Sequence, residues 1–266
     1  MKAERASVLG VLIHPITYAG AVTQIIEAAQ GRRVFRVAPL AVHGVIEAVL
    51  HPQYRHRLNQ FDLAVPDGQP VRWALRWLHG FRLPDRVYGP TLMLTVCEQA
   101  AAQNLPIYLY GTTTQTIDAL CERLRDQFPS LKIAGGAPSQ FRGLSAEENT
   151  QMIESIKSSG ARIVFVGLGC PRQEVWVYEN ADRLAMPTIA VGAAFDFLSG
   201  QKAQAPSWMQ ANGLEWLFRL LHEPARLWRR YLIYNSLYVL LLVLQLLHLK
   251  RFDTNGEPIE HEFRYG

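Results

Sequence analysis

Residues that commonly hold metals or form disulfides are few and scattered in this chain. Its 266 residues include only three cysteines, which form no Cys-x-x-Cys pair. Because an odd number of cysteines cannot pair completely within one chain, we expect a reducing compartment. The eight histidines are dispersed, and neither His-Glu-x-x-His nor Asp-x-Asp occurs. The sequence therefore predicts no metal site and no bound cofactor.

Signals of several other protein classes are also missing. The charged first residues are not followed by an apolar run with a small-residue cleavage site, so no secretory signal peptide is predicted. No Gly-x-x-x-x-Gly-Lys-[Ser/Thr] loop, Gly-x-Ser-x-Gly turn or internal repeat is found. The net charge of +4 suits anionic partners such as phosphates or acidic lipids. We predict no nucleic-acid partner.

Short apolar segments alternate with helix-like stretches along most of the chain. This alternation predicts an α/β fold, a Rossmann-like and mostly parallel sheet with helices on both faces. In such sheets, ligands bind beyond the carboxyl ends of the strands. The predicted strands are residues 8–13, 34–37, 61–65, 107–110, 131–134, 163–166 and 188–191.

The composition changes after Gly200, where we place a boundary between a core of residues 1–200 and a helical C-terminal appendage of residues 201–266. Pro224 interrupts the appendage, so two shorter helices are expected instead of one. Residues 231–249 are nearly all apolar and, as a helix, would reach roughly 28 Å. We expect this stretch to lie on a membrane surface; a spanning helix and a buried or oligomer contact are the alternatives.

Asp67 is the first candidate for a chemical role. It follows a predicted strand and precedes Gly68, which permits a tight turn or a close approach of backbone to a ligand. A carboxylate in this position is able to act as a general base. Turns also contain aspartate for structural reasons alone.

The turn after the strand 163–166 is the second candidate, because Gly167 and Gly169 flank Leu168 there. Backbone N–H groups at the start of the following helix favour an anion such as a diphosphate. The complete Gly-x-Gly-x-x-Gly fingerprint is missing, and a simple strand-to-helix turn explains the pattern equally well.

Arginines of the appendage are the third candidate. Arg219, Arg226 and Arg230 are seven and four residues apart, which places them on one face of a helix. Guanidinium groups bind a diphosphate through paired hydrogen bonds. A solvated basic face, or a contact with anionic lipids, is the alternative.

Several sequence blocks follow one another in the second half of the chain. They are GLGCPRQE at 167–174, GAAFDFLSG at 192–200, APSW at 205–208, GLEW at 213–216 with Arg219, and Glu223-Pro224 with Arg226 and Arg229. Upstream stand Pro66-Asp67-Gly68 and Arg86-Val87-Tyr88-Gly89. With these blocks, the chain resembles the WecG/TagA/CpsF glycosyltransferase family over most of its length.

The resemblance implies an inverting, metal-independent transferase with a Rossmann-like core. It also implies a UDP-sugar donor and an acceptor sugar linked to undecaprenyl diphosphate. The transfer of a hexose-type sugar would then serve the synthesis of exopolysaccharide, capsule or another cell-surface polymer. The expected location is the cytoplasmic face of the bacterial inner membrane, with peripheral or tail-anchored attachment. A homo-oligomer is among the states that the resemblance allows.

Site residues follow from the same resemblance, position by position. Asp67 matches the catalytic base of the family, and Arg219, Arg226 and Arg229 match groups that close over the donor diphosphate. The remaining predicted residues of the nucleotide and sugar pocket are Gly68, Gly111, Gly167, Gly169 and Gln173.

Two segments depart from the family pattern. The family has a Thr-x-Asn type of segment after the second strand, where this chain has residues 37–43, VAPLAVH. Pro90-Thr91 follow Gly89, where the family commonly has aspartate. These departures leave the substrates open and permit a catalytically weakened scaffold of a membrane polymer-assembly complex. A dinucleotide-dependent oxidoreductase is the other rival, but it would need the missing glycine fingerprint.

Overall fold

A computed structural model describes residues 4–257, except for the side chain of Arg230. Residues 1–3 of the predicted core and 258–266 of the predicted appendage lie outside this range. The strands are β1 (Ala6–Val8), β2 (Val11–Ile13), β3 (Phe35–Leu40), β4 (Leu63–Pro66), β5 (Ile107–Gly111), β6 (Ile133–Ala137), β7 (Ile163–Gly167) and β8 (Pro187–Ala190). The helices are α1 (Tyr18–Gln30), α2 (Val42–Leu50), α3 (Pro52–Asn59), α4 (Gln69–His79), α5 (Gly89–Ala102), α6 (Thr114–Gln127), α7 (Ala146–Ser158), α8 (Arg172–Leu184), α9 (Ala194–Leu198), α10 (Ser207–Ala211), α11 (Glu215–His222) and α12 (Pro224–Leu246).

Six strands form one parallel sheet in the order β4-β3-β8-β7-β5-β6. The inner strands β5 and β8 are buried along their whole length, which is why they are apolar at successive positions instead of alternating. One buried cluster on one face involves α2, α4, α8 and α12, and a second on the other face involves α1, α5 and α6. The predicted α/β architecture is therefore confirmed.

The prediction of residues 8–13 as one strand of this sheet is wrong. Two short strands, β1 and β2, form a separate antiparallel hairpin instead. Leu9 and Gly10 both have positive φ angles, +52° and +84°, which are typical of the two residues of a tight hairpin turn. The unbroken apolar pattern hid this turn because Leu9 is itself fully buried.

The sequence does not predict helix α3, because a proline after an apolar helical stretch is typical of a helix end. Pro52 does follow the end of α2, but it is also the first residue of α3. Proline suits that position because the first N–H of a helix has no partner within the helix. Helix α3 places Asn59, whose side chain bonds to Leu12 and Gly10 of the hairpin and to Thr254 near the C-terminus.

Pro224 divides the appendage into α11 and α12, as the sequence predicts. Helix α12 packs on α2 and α4, where Tyr238, Leu241 and Leu242 are at most 6% exposed and belong to a core cluster that also contains hairpin residues. The Tyr238 hydroxyl donates to the carbonyl of Pro70 (3.1 Å), and the Gln245 side chain accepts from Leu9 N (2.9 Å). These contacts fasten α12 along much of its length.

The other side of α12 is apolar and exposed. Leu232, Ile233, Val239, Leu240 and Val243 are between 44% and 64% exposed. Within residues 4–257, no helix is both long enough and apolar enough to cross a membrane. This finding does not support the spanning alternative for residues 231–249. Helix α12 ends at Leu246 and has one buried and one exposed side.

Candidate active site

Two neighbouring cavities open at the carboxyl ends of the strands, where parallel sheets bind ligands. The first, which we call the polar cavity, has a volume of about 510 Å³ and lies against β3, β7 and β8 and the turns that follow them. The second, the aromatic cavity, has a volume of about 460 Å³ and lies between α4, α11 and α12. The residues that line both cavities are Ala41, His43, Asp67, Val191, Ala193 and Arg219.

Asp67 stands at this junction, directly after β4. The backbone N–H of Gly89 donates to its Oδ1 (3.0 Å), and its own N–H donates to the carbonyl of Leu40 (3.0 Å). Burial raises the pKa of Asp67 to about 6; Arg86, Gly89 N–H and Arg219 oppose the rise, and Glu215 adds to it. A carboxylate with this pKa is ionised at neutral pH, yet it has a greater proton affinity than an exposed aspartate.

Arg86 and Glu215 form an ion pair (2.8 Å) close to Asp67, and their side chains are only 8% and 15% exposed. Arg86 also donates to Gln210 (3.2 Å), and the Tyr88 hydroxyl donates to Glu215 (3.3 Å). The Arg86 guanidinium stacks over the Tyr88 ring at 4.2 Å from its centroid. This network ties the loop before α5 to α10 and α11.

Four cationic residues border the polar cavity, namely Arg172, Lys202, Arg219 and Arg226. Lys202 pairs with Asp196 (3.0 Å), and both Lys202 (3.6 Å) and Arg226 (2.5 Å) pair with Glu223. Two of the predicted diphosphate ligands, Arg219 and Arg226, are thus brought to one wall. The third, Arg229, is exposed on α12, lies 5.7 Å from the Trp228 ring and lines neither cavity.

The predicted glycines have different local roles. A Cβ at Gly111 would lie 2.6 Å from the backbone of Gly167, and one at Gly167 would lie 2.6 Å from the Phe195 ring, so close packing requires both glycines. Gly169 has a φ of +80° and open space where a Cβ would stand, and it lines the polar cavity. Of these three glycines, Gly169 offers backbone to a ligand most directly. Gly68 lines the aromatic cavity.

Gln173 borders the polar cavity but is only 4% exposed. Its Oε1 accepts from Gly169 N (3.1 Å), and its Nε2 donates to the carbonyl of Ala190 (3.1 Å) and to Glu174 (2.8 Å). Gln173 therefore holds the glycine turn against the end of β8. Burial raises the pKa of the adjacent Glu174 carboxyl to about 7, with Gln173 among the groups that oppose the rise.

Sequence reasoning assigned no role to several residues of this site. Arg86 and Glu215 belong to blocks that carried the resemblance, so the signal was present without a function attached. Lys202 had no such signal, because only the fold brings it to Arg226. His43 is the last residue of the segment that departs from the family pattern, and the structure places it at the junction of the cavities.

A larger cavity, of about 980 Å³, lies at the opposite end of the sheet. Phe35, Phe61 and Asp62 line it at the amino ends of β3 and β4. We assign the site to the carboxyl ends instead, because strand ends, helix N-termini and the perturbed carboxyls Asp67 and Glu174 converge there.

Residues 6–252 match the model of the glycosyl transferase WecG/TagA/CpsF family. The chain belongs to this family. It is 31% identical over 187 residues, 70% of each chain, to an N-acetylglucosaminyldiphosphoundecaprenol N-acetyl-beta-D-mannosaminyltransferase from Bacillus spizizenii (strain ATCC 23059 / NRRL B-14472 / W23). The predicted family is confirmed, the protein is a glycosyltransferase by membership, and the oxidoreductase rival is set aside.

The raised pKa of Asp67 predicts a gain of stability in Asp67→Asn. In the folded state this carboxyl holds its proton more tightly than in the unfolded chain, so its ionisation destabilises the fold as pH rises from about 4 to about 6. Asparagine does not ionise and keeps an acceptor for Gly89 N. We expect Asp67→Asn to raise the free energy of unfolding at pH 8 by up to about 3 kcal/mol. Urea denaturation measures this as a midpoint at higher urea concentration. The gain should shrink to about a third of this value at pH 4.5.

Asp118→Asn is the matched control, since it removes the same charge from an exposed position on α6. Equal stability changes for the two variants at pH 8 would contradict the burial argument.

Proposed function

We propose that this chain transfers a hexose-type sugar from a UDP-sugar to a sugar linked to undecaprenyl diphosphate, with inversion and without a metal ion, in the synthesis of a cell-surface polymer. The observation that carries the proposal is the position of Asp67 where a polar and an aromatic cavity meet. The name of the Bacillus spizizenii relative supports a lipid-diphosphate-linked acceptor. It also makes N-acetylmannosamine the first donor sugar to test.

The polar cavity suits the donor. Gly169 presents open backbone at the turn before α8, and backbone N–H groups at a helix start favour phosphate. Arg219, Arg226 and Lys202 supply positive charge to the same cavity. Because UDP leaves as an anion, cations fixed in advance stabilise the charge that develops in the transition state. Among the described residues there is no cluster of three metal-ligating side chains to perform this task.

The aromatic cavity suits the acceptor. Its walls include Trp73, Trp216, Tyr231, Tyr234 and Tyr238. Aromatic faces pack against the apolar C–H faces of sugars and against isoprenoid chains, and the Tyr and Trp polar atoms provide hydrogen bonds. Residues of α12, whose outer side is apolar, form part of the wall of this cavity.

The chemistry that follows is a single displacement. Asp67 takes the proton from the attacking acceptor hydroxyl as the new C–O bond forms at the anomeric carbon of the donor sugar. The bond between that carbon and the diphosphate breaks on the opposite face, so the configuration inverts and UDP departs. The raised pKa of Asp67 strengthens it as a base while leaving it ionised at neutral pH.

Membrane contact is the remaining part of the proposal. The exposed apolar side of α12 and the exposed cations Arg229, Lys250 and Arg251 form a pattern that favours the surface of an anionic membrane. We place the protein peripherally, at the cytoplasmic face of the bacterial inner membrane, where a nucleotide-sugar and a lipid-linked acceptor meet.

The test of the function is acceptor-dependent UDP release. The purified protein is incubated with a short-chain lipid-diphosphate-linked N-acetylglucosamine, a panel of UDP-sugars and EDTA. We expect release with one donor, UDP-N-acetylmannosamine first, and none without acceptor. If no donor gave release when detergent and acceptor length were varied, the transferase proposal would be rejected in favour of the scaffold of a membrane polymer-assembly complex.

Asp67→Asn should lower kcat by about a hundredfold or more, since a general base contributes on that scale. In the wild type, kcat/KM should rise with pH through about 6 and then level off, because only ionised Asp67 accepts the proton. The measurement is initial UDP release from pH 5 to 8. A loss of less than threefold in Asp67→Asn would remove Asp67 from the role of base.

The three arginines predicted to bind the donor diphosphate should differ in their effect on UDP binding. Arg219→Ala and Arg226→Ala should each weaken UDP binding by about tenfold, as expected for a charge-assisted contact. Arg229→Ala is the matched comparison on the same pair of helices. Because Arg229 lines neither cavity, this variant should weaken UDP binding less than the other two. Titration of the three variants with UDP gives the order. If Arg219→Ala and Arg226→Ala both bound UDP as tightly as the wild type, the assignment of the polar cavity to the donor would be contradicted.

A further inference from the structure

His43 is the side chain at the cavity junction for which the proposed mechanism has no task. It is the second residue of α2, which starts beyond the carboxyl end of β3. Its side chain is 15% exposed, and the residue lines both cavities together with Asp67 and Arg219. A polar side chain placed there lies where the two sugars of a transfer reaction must meet.

Two neighbours hold the imidazole in position. Its Nδ1 lies 3.8 Å from Glu47 Oε1, one helical turn along α2. Its ring stacks on the Tyr234 ring, with centroids 5.1 Å apart and planes inclined by 28°. The Tyr234 hydroxyl donates to the same Glu47 oxygen (2.8 Å), so one buried carboxylate lies beside both rings. Glu47 therefore links His43 of the core to Tyr234 of α12.

The position of the Glu47 carboxylate favours one tautomer of the His43 ring. A carboxylate beside Nδ1 favours the tautomer that carries its proton there, which makes Nε2 a hydrogen-bond acceptor. An acceptor nitrogen suits a sugar hydroxyl and does not suit a phosphate. Positive charge for the diphosphate is already present at Arg219, Arg226 and Lys202.

We propose that His43 is a positioning residue whose Nε2 accepts a hydrogen bond from a sugar hydroxyl at the junction, with Glu47 and Tyr234 fixing its orientation. This inference rests on the proposed glycosyl transfer. The hydroxyl belongs either to the acceptor sugar or to the donor sugar, and separate KM values for the two substrates tell them apart.

Two substitutions distinguish the contribution of the His43 hydrogen bond from that of ring packing. His43→Phe keeps a ring that stacks on Tyr234 but has no acceptor nitrogen. His43→Gln gives up the stack but keeps an acceptor oxygen at about the distance of Nε2. If the hydrogen bond matters, kcat/KM should fall about tenfold in His43→Phe, mainly through the KM of one substrate, and His43→Gln should retain more activity. A purely structural role predicts the reverse order.

His51→Ala is the matched control. His51 also pairs with Glu47 (3.4 Å), but it is 64% exposed and lines neither cavity. Its kcat/KM should stay within twofold of the wild type. UDP binding by all three variants should also stay within twofold, which shows that the donor cavity is intact.

The experiment is steady-state UDP release with donor and acceptor varied in turn. Greater activity in His43→Gln than in His43→Phe supports the assignment. Equal activities, the reverse order, or a wild-type rate in His43→Phe would overturn it while leaving the transferase function in place. A wild-type enzyme that releases no UDP with any donor would overturn the proposed function itself, and this inference with it.

Discussion

The ion pair between Arg86 and Glu215 joins the α/β core to the C-terminal helices, and the geometry of the site depends on it. Its two partners are 129 positions apart in the sequence, yet both side chains are nearly buried. Removing charges from water is costly, and the pair is stable there because Gln210 and Tyr88 supply further hydrogen bonds. Breaking such a pair by removing one partner commonly costs about 3–5 kcal/mol. The same two charges act on Asp67 in opposite directions, so core and appendage together set its proton affinity.

Charge balance explains why the polar cavity is built from paired ions. Lys202 and Arg226 share Glu223, and Lys202 also contacts Asp196. Unpaired cations would repel one another and would lose solvation in a cavity, so the carboxylates hold them in place before a ligand arrives. In the proposed reaction, a diphosphate would compete with Glu223 for these cations. The donor site is thereby preorganised, at the cost of part of the binding energy.

The sequence predicted what is local and missed what is distant. Strand and helix order follow from periodicity, and Pro224 marked the break between α11 and α12 correctly. The hairpin was missed because its turn residue Leu9 is apolar and buried, and α3 because proline both ends and begins helices. Asp67, Arg219 and Arg226 were predicted from motifs and the family resemblance, and the fold gathers all three around one pair of cavities. The Glu47 bridge between His43 and Tyr234 could not be predicted, because no local pattern indicates a contact across 187 positions.

Helix α12 connects the chemistry with the surface of the molecule. Tyr238, Leu241 and Leu242 belong to the core, and each such apolar side chain contributes about 1.5–3 kcal/mol when it is buried. The helix therefore has its position before any membrane is present. If its outer side meets lipid as proposed, binding does not have to order the helix, and the apolar contact area contributes fully to affinity. Val239 lines the aromatic cavity and is also 59% exposed, so an isoprenoid chain leaving that cavity would pass onto the apolar side of α12. A lipid-linked acceptor would thus reach Asp67 along the same helix that carries Tyr234 into the site.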